Sequence, residues 1–219
     1  MFEGIFMEIK TFYCNPLREC CYVAWDATKE CVIVDPGFYG ERERQRLYNF
    51  IEERQLKPVK ILMTHGHFDH VLSLDEVARH YGIPVLIHPA DQQQIVSGAD
   101  WCRSLGLTFT PYEGPFTNLA DGDTVGFGES SLQVIGTPGH TQGGVCFFSE
   151  ADGVLFSGDT LFAGSIGRTD HPGGDYDQLI ESIVRKILPL DGDVHVLPGH
   201  GPSTSIGYER VTNPFLQPA

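Results

Sequence analysis

Apolar positions along the chain fall into short runs with a changing period. In the first third, residues 5–13, 21–26 and 31–35 are rich in β-branched, aromatic and other apolar residues. Turn-forming residues separate them, and the pattern predicts three strands. Asp35-Pro36-Gly37 stops the third one abruptly. Over residues 41–53 the period becomes helical, with Leu47, Phe50 and Ile51 on one side and charges opposite. A short apolar strand is expected over 59–64, a helix over 74–81 ending at Gly82, and a strand over 84–88. The second half resumes the rhythm, with strands at 132–137, 144–148, 154–157 and 194–197 and an amphipathic helix over 176–188. Residues 98–117, which include Trp101 and Cys102, hold no clear period and are expected to form a loop over a site. Clustered strands with helices between them predict a layered α/β fold with mixed sheets. No linker, repeat or low-complexity stretch interrupts the 219 residues, so one domain spanning 1–219 is expected.

Composition then removes several function classes. Hydrophobic residues make up 41% and charged residues 20%, which fits an ordinary globular chain. With 29 acids against 15 bases the net charge is −14, which gives no electrostatic footprint for nucleic acid. No apolar run reaches the roughly 20 residues of a membrane span. The first ten residues lack the basic-then-apolar order of a secretory signal. Met7 offers an alternative start, because the strand-like pattern begins there. The six cysteines, Cys14, Cys20, Cys21, Cys31, Cys102 and Cys146, show no CxxC spacing and are expected to be reduced, buried thiols of a cytoplasmic protein. Cys20 and Cys21 would face opposite sides of a strand.

The strongest chemical signal is Thr64-His65-Gly66-His67-Phe68-Asp69-His70, in which four potential metal ligands lie close together. His65 and His67 are two apart, so an extended backbone puts both imidazoles on one side. Asp69 and His70 then turn into the following helix and can serve a second position. Imidazoles with carboxylates suit zinc, iron, manganese or nickel. Three more candidates occupy equivalent places: His140 after Pro138-Gly139, Asp159 after Gly158, and His200 after Pro198-Gly199. Each sits just beyond the carboxyl end of an expected strand, where sites are built on loops. Alone, His140 or His200 reads as structural and Asp159 as a turn residue; the four loops together read as one site.

The order HxHxDH, a lone His, GDT and PGHG resembles the metallo-β-lactamase superfamily, and the likeness runs from Val34-Asp35-Pro36-Gly37 to the tail. The resemblance implies a four-layer αββα sandwich of two mixed β-sheets flanked by helices. It also implies one metal on His65, His67 and His140, a second on Asp69, His70 and His200, and Asp159 bridging them. The two divalent ions would be zinc in the first place, with iron or manganese as substitutes. Ser157-Gly158-Asp159-Thr160-Leu161-Phe162, the stretch from Gly164 to Asp170, and Pro198-Gly199-His200-Gly201-Pro202 are similar to the glyoxalase II (hydroxyacylglutathione hydrolase) group, and most to its short bacterial members. In the longer members a helical C-terminal region supplies basic residues for glutathione, whereas 19 residues follow His200 here. Glutathione as the thiol carrier is therefore not implied by the resemblance.

These residues point to a metal-dependent hydrolase, with a small-molecule acyl thioester as substrate and neither nucleic acid nor membrane as partner. A metal-bridging hydroxide would be the nucleophile, and Asp69 and Asp159 would carry the catalytic roles. A thiolate leaves without strong acid assistance, and no residue pair calls for a covalent intermediate. Asp35 reads either as a partner steadying a ligand loop or a ligand His N–H, or as a plain turn aspartate. Arg168 and Asp170 read as substrate contacts or as a mutual pair. His80, His88, His171 and His195 read as ordinary surface or packing histidines. Two rivals stand beside the hydrolase. One is a mononuclear iron persulfide dioxygenase, whose family this chain resembles in Gly167-Arg168-Thr169-Asp170 and which would use His65, His140 and Asp159. The other is a non-catalytic metal-binding module, against which a seven-ligand set argues, since a closed structural site needs four. A lactamase is disfavoured because zinc lactamases usually place a Cys among their ligands, and every matching position here is His or Asp.

Overall fold

The computed structural model describes residues 7–217, so Ile5 and Phe6 of the first expected strand lie outside it. Strand β2 (Glu19–Trp25) is buried at every position, and β9 (Val145–Ser149) and β10 (Val154–Gly158) are too. Strands covered on both faces read as continuous apolar runs, which is why the sequence marks them clearly.

One sheet runs in the order β1 (Glu8–Cys14), β2, β3 (Glu30–Val34), β4 (Lys57–Leu62), β5 (Val85–Ile87), β6 (Phe116–Asn118). Its first three strands are antiparallel neighbours, and β3 through β6 are parallel. The parallel part requires crossovers. These contain α1 (Glu41–Arg54), then α2 (Phe68–Val71) and α3 (Leu74–Tyr81), then α4 (Gln92–Ser104). The second sheet holds β7 (Thr124–Phe127), β8 (Ser130–Gly136), β9, β10, then β13 (His195–Pro198) and β14 (Thr204–Ser205). Between β10 and β13 the chain forms a small hairpin, β11 (Leu161–Phe162) with β12 (Ser165–Ile166), and then α5 (Tyr176–Ser182). Helix α6 (Ile206–Thr212) follows β14.

Three apolar clusters define the layers. Tyr22, Val34 and Leu62 of the first sheet meet Val134, Phe147 and Phe156 of the second in the central one. On the outer face of the first sheet, Val23, Ile33 and Ile61 pack with Leu47 of α1, Val77 of α3 and Ile95 of α4. On the outer face of the second, Cys146, Leu155 and Val196 pack with Leu179 of α5 and Ile206 of α6. This is the αββα sandwich of two mixed sheets. Cys20 falls in the central cluster and Cys21 in the outer one, so the pair does face opposite ways. All six cysteines are free and buried. Among the described residues, no helix is long and apolar enough to cross a membrane.

Two expectations need correcting. The segment 98–117 is not one loop: its first part belongs to α4, which the sequence hides behind a polar start and a mid-helix Gly98. That glycine is set against Phe68, whose Cβ would lie 3.3 Å from an added methyl. The helix expected over 176–188 is α-helical only to Ser182 and then widens into a π-type turn over Ile183–Ile187.

The tail is tied to the sheet by a buried carboxylate. Glu209 of α6 accepts from Gly164 N and Asn213 Nδ2, each at 2.8 Å, and from the Thr204 hydroxyl at 2.5 Å. Asn213 Nδ2 also donates to Ser165 O at 3.0 Å, so the β11–β12 hairpin hangs on this junction. Glu209→Ala leaves several buried donors unpaired and should cost about 2–4 kcal/mol at roughly 1–3 kcal/mol per group. Denaturant titration should show a lower midpoint with an unchanged slope; a cost below about 0.5 kcal/mol, the size of an ordinary surface substitution, would show that the junction carries little.

Candidate metal centre

Strands β8 and β10 are each antiparallel to β9 and therefore run the same way, and β13 is parallel to β10. Their carboxyl ends emerge at one edge, and the loops after them carry His140, Asp159 and His200. Strand β4 of the facing sheet delivers Thr64 to the same edge, where Val145 N donates to Thr64 O at 2.9 Å across the sandwich. The expected ligand residues converge there in two trios. One ligand atom each from His65, His67 and His140 lie within 4.8 Å of one another, and the same holds for Asp69, His70 and His200. Asp159 stands between the trios. Its Oδ2 is 3.5 Å from His140 Nε2 and 3.8 Å from His200 Nε2, and its Oδ1 is 3.5 Å from His70 Nε2.

The outer nitrogens of four histidines are fixed by acceptors. His140 Nδ1 donates to Arg168 O at 2.7 Å and His200 Nδ1 to Leu17 O at 3.2 Å. A carbonyl only accepts, so these nitrogens carry the hydrogen, and in the neutral ring Nε2 carries the lone pair. The Thr64 hydroxyl spends its hydrogen on Asp35 Oδ2 at 2.6 Å, so toward His65 Nδ1, 3.0 Å away, it can only accept. Asp35 Oδ2 also lies 3.0 Å from His70 Nδ1, and Oδ1 accepts from Thr64 N at 2.8 Å. Asp35 is thus both readings at once: a turn residue with φ of 49° and a carboxylate joining two ligand loops. Aspartate tolerates the left-handed region better than most residues.

The inward-facing atoms have no such partners. His65 Nε2, His70 Nε2, His140 Nε2 and Asp159 Oδ1 are all buried, and none makes a hydrogen bond among the described residues. Buried polar atoms are normally paired, and orphans on the facing sides of both trios and of Asp159 fit divalent cations bound by nitrogen and oxygen. The electrostatics agree. Burial, with repulsion from neighbouring imidazoles, holds His65 below its ordinary pKa and His67 down at about 3, so both are neutral and able to ligate. Burial also disfavours charge on His70, but the Asp159 and Asp69 carboxylates outweigh it and raise the imidazole. Asp159 is pulled well below the usual carboxylate range by the facing histidines, against the effect of burial.

Several neighbours escaped the sequence. Glu19 is fully buried, with Oε1 3.9 Å from His70 Nδ1 and neither oxygen hydrogen-bonded among the described residues. Burial and the nearby Cys14, Asp35 and Asp69 push its carboxyl upward. It stands at the head of β2, just before an apolar run, where nothing local marks it as buried. His171, expected to be ordinary, instead sets its ring 4.7 Å from that of His67 and 4.9 Å from that of His140. Arg168 and Asp170 meet in an exposed two-pronged pair, at 2.9 Å and 3.1 Å. Of the other histidines, His80 stacks on Tyr48 and His88 accepts from Ala90 N.

A family model for the metallo-β-lactamase superfamily matches residues 16–200, which hold both trios and Asp159. The chain belongs to the metallo-β-lactamase superfamily. Within it, the hydroxyacylglutathione hydrolase GloC of Haemophilus influenzae is 36% identical, over 96% of this chain and 98% of that protein. Among solved structures, the B3 metallo-β-lactamase BLEG-1 superposes with a TM-score of 0.89 at 37% identity, covering 96% of this chain and all of that one. TTHA1623 in a di-iron-bound form superposes with a TM-score of 0.85, also at 37% identity, over 94% of this chain and 100% of that chain.

Proposed function

We propose that this chain is a metal-dependent hydrolase of S-acyl thioesters. The observation that carries the reading is the pair of histidine-rich trios with Asp159 between them and four buried candidate ligand atoms with no hydrogen-bond partner among the described residues. His65, His67 and His140 would hold one divalent ion, Asp69, His70 and His200 a second, and Asp159 would touch both. Such ions, when bound, supply Lewis acidity and lower the pKa of a ligated water toward about 7. The residues of the chain shape the rest. Asp69 and Asp159 neutralise only part of the charge of two divalent ions, so the field stays positive where a carbonyl oxygen gathers negative charge. Asp69 Oδ2 is 3.1 Å from His200 Nε2, at the more open side of the centre, where it can orient a water for attack. A thioester needs little more, since its thiolate departs without a strong acid.

The 36% identity to GloC supports an acyl-glutathione ester as one substrate to try, and the 37% identity to BLEG-1 is reason to try a β-lactam. Glutathione carries two carboxylates that want charged partners. Arg168 already pairs with Asp170, and Arg210 turns its guanidinium to Leu188 O and Leu190 O. Contacts that bind substrate and transition state alike lower KM without raising kcat. Steady-state kinetics should therefore give acyl-glutathione a KM within about tenfold of a simple thioester with the same acyl group, a gap of about 1.4 kcal/mol, and a comparable kcat. Low-micromolar KM for the glutathione ester alone would reveal a dedicated pocket. Hydrolysis of the β-lactam and neither thioester would overturn the proposal.

A further inference from the structure

We infer that Asp91 is a positioning residue that sets the geometry of the His65–His67–His140 position separately from that of the other trio. The inference rests on the two-metal reading above. Asp91 belongs to no ligand motif, follows the short strand β5, and is fully buried. Its carboxylate takes hydrogen bonds from both loops that build the first trio. Oδ2 accepts from Gly66 N at 3.0 Å, between His65 and His67, and from the Thr141 hydroxyl at 2.7 Å, next to His140. Oδ1 accepts from Gly143 N at 2.7 Å, farther along the same His140 loop. The two loops come from different sheets, so Asp91 joins the halves of the sandwich at the point where their ligands must agree. The approach leaves no spare room: an added Cβ would lie 2.5 Å from Asp91 O at Gly66 and 2.6 Å from Asp91 Oδ1 at Gly143. The second trio is braced by other groups. Asp35 meets His70, Leu17 O meets His200, and Asn15 Nδ2 donates to Asp69 O at 2.9 Å.

The chemistry requires a carboxylate. Three donors converge on two oxygens, and an acceptor-only side chain satisfies all of them. In Asn, the amide nitrogen must face either Gly143 N–H or Gly66 N–H, and neither backbone group can turn away. The test is zinc affinity and stoichiometry, by competition with a chromophoric chelator and elemental analysis. Wild type should bind two ions per chain. Asp91→Asn should weaken one of them by about 10–100-fold, the usual cost of losing support behind a ligand, and leave the other unchanged. In a His200→Ala background, which keeps only the first trio whole, Asp91→Asn should weaken the remaining ion; in a His67→Ala background it should not. Thr141→Val removes one bond and keeps both backbone contacts, so it should shift the same ion by less, and it carries the test if Asp91→Asn fails to fold. Equal weakening of both ions, no weakening of either, or an effect confined to the His67→Ala background would overturn the inference. A wild-type protein that binds a single ion would instead bring down the two-metal reading, and this inference with it.

Discussion

Asp159→Ala should lose hydrolytic activity by at least about 10³-fold, the upper range for removing one preorganised group that stabilises a transition state, and should lose metal with it. The reason is position. Asp159 lies within 3.5 Å of an inward-facing nitrogen of each trio, and among the described residues no other carboxylate does so. Asp69 is 3.1 Å from His200 and 3.9 Å from His70, both in its own trio. Asp35→Ala is the informative comparison. Asp35 touches no inward-facing nitrogen; it holds Thr64 and the outer nitrogen of His70. Its loss should cost about 10–100-fold in metal affinity or activity. It should also release a backbone held at a positive φ, a strain retained only where surrounding contacts over-determine it. Both variants should be assayed after zinc loading to equal content. Equal residual rates at equal metal would show that Asp159 is an ordinary ligand of one ion and not a bridge between two.

The parts of this molecule that were legible in its sequence share a local cause. The candidate ligand residues of the first loop are nearly contiguous, so the signal for them is written in seven residues. His140, Asp159 and His200 could be joined to them because each follows, through a glycine, a strand whose last residues are buried. What was not legible depends on distance or brevity. The edge strands β6, β11, β12 and β14 are two or three residues long, too short to show a period. Helix α4 opens on three glutamines, which show no apolar period, and carries Gly98, a mark against a helix in isolation, yet packing of Gly98 on Phe68 and burial of Ile95 decide the matter. Asp91 reads as a turn residue in His88-Pro89-Ala90-Asp91; its partners are 25 to 52 positions away. Glu19 is invisible for the opposite reason, since a charged residue at the head of an apolar strand looks like an exposed end. The residues that hold the ligands were therefore harder to find than the ligands, because their signal lies in contacts and not in spacing.

Removing metal should have the largest effect of all: a chelator-treated sample should hydrolyse no thioester above background, and zinc should restore the rate. Without an ion, the centre has neutral His65 and His67, a His70 raised by its carboxylate neighbours, and ionised Asp159, none of which can supply hydroxide at neutral pH. A zinc-bound water reaches a pKa of about 7, against 15.7 in bulk, so the difference is one of kind. The same experiment separates the two enzyme readings of this ligand set. A hydrolase built on both trios should recover fully at two zinc ions per chain, with little activity at one. A persulfide dioxygenase would need only His65, His140 and Asp159 about a single iron, and it would take up oxygen with glutathione persulfide while leaving thioesters intact. The geometry favours the first outcome, because Asp69, His70 and His200 are drawn together as closely as His65, His67 and His140, and His70 Nε2 is left as bare of partners as His65 Nε2 and His140 Nε2. Full activity with one iron, unchanged in His200→Ala, would show that the second trio serves the fold and not the reaction.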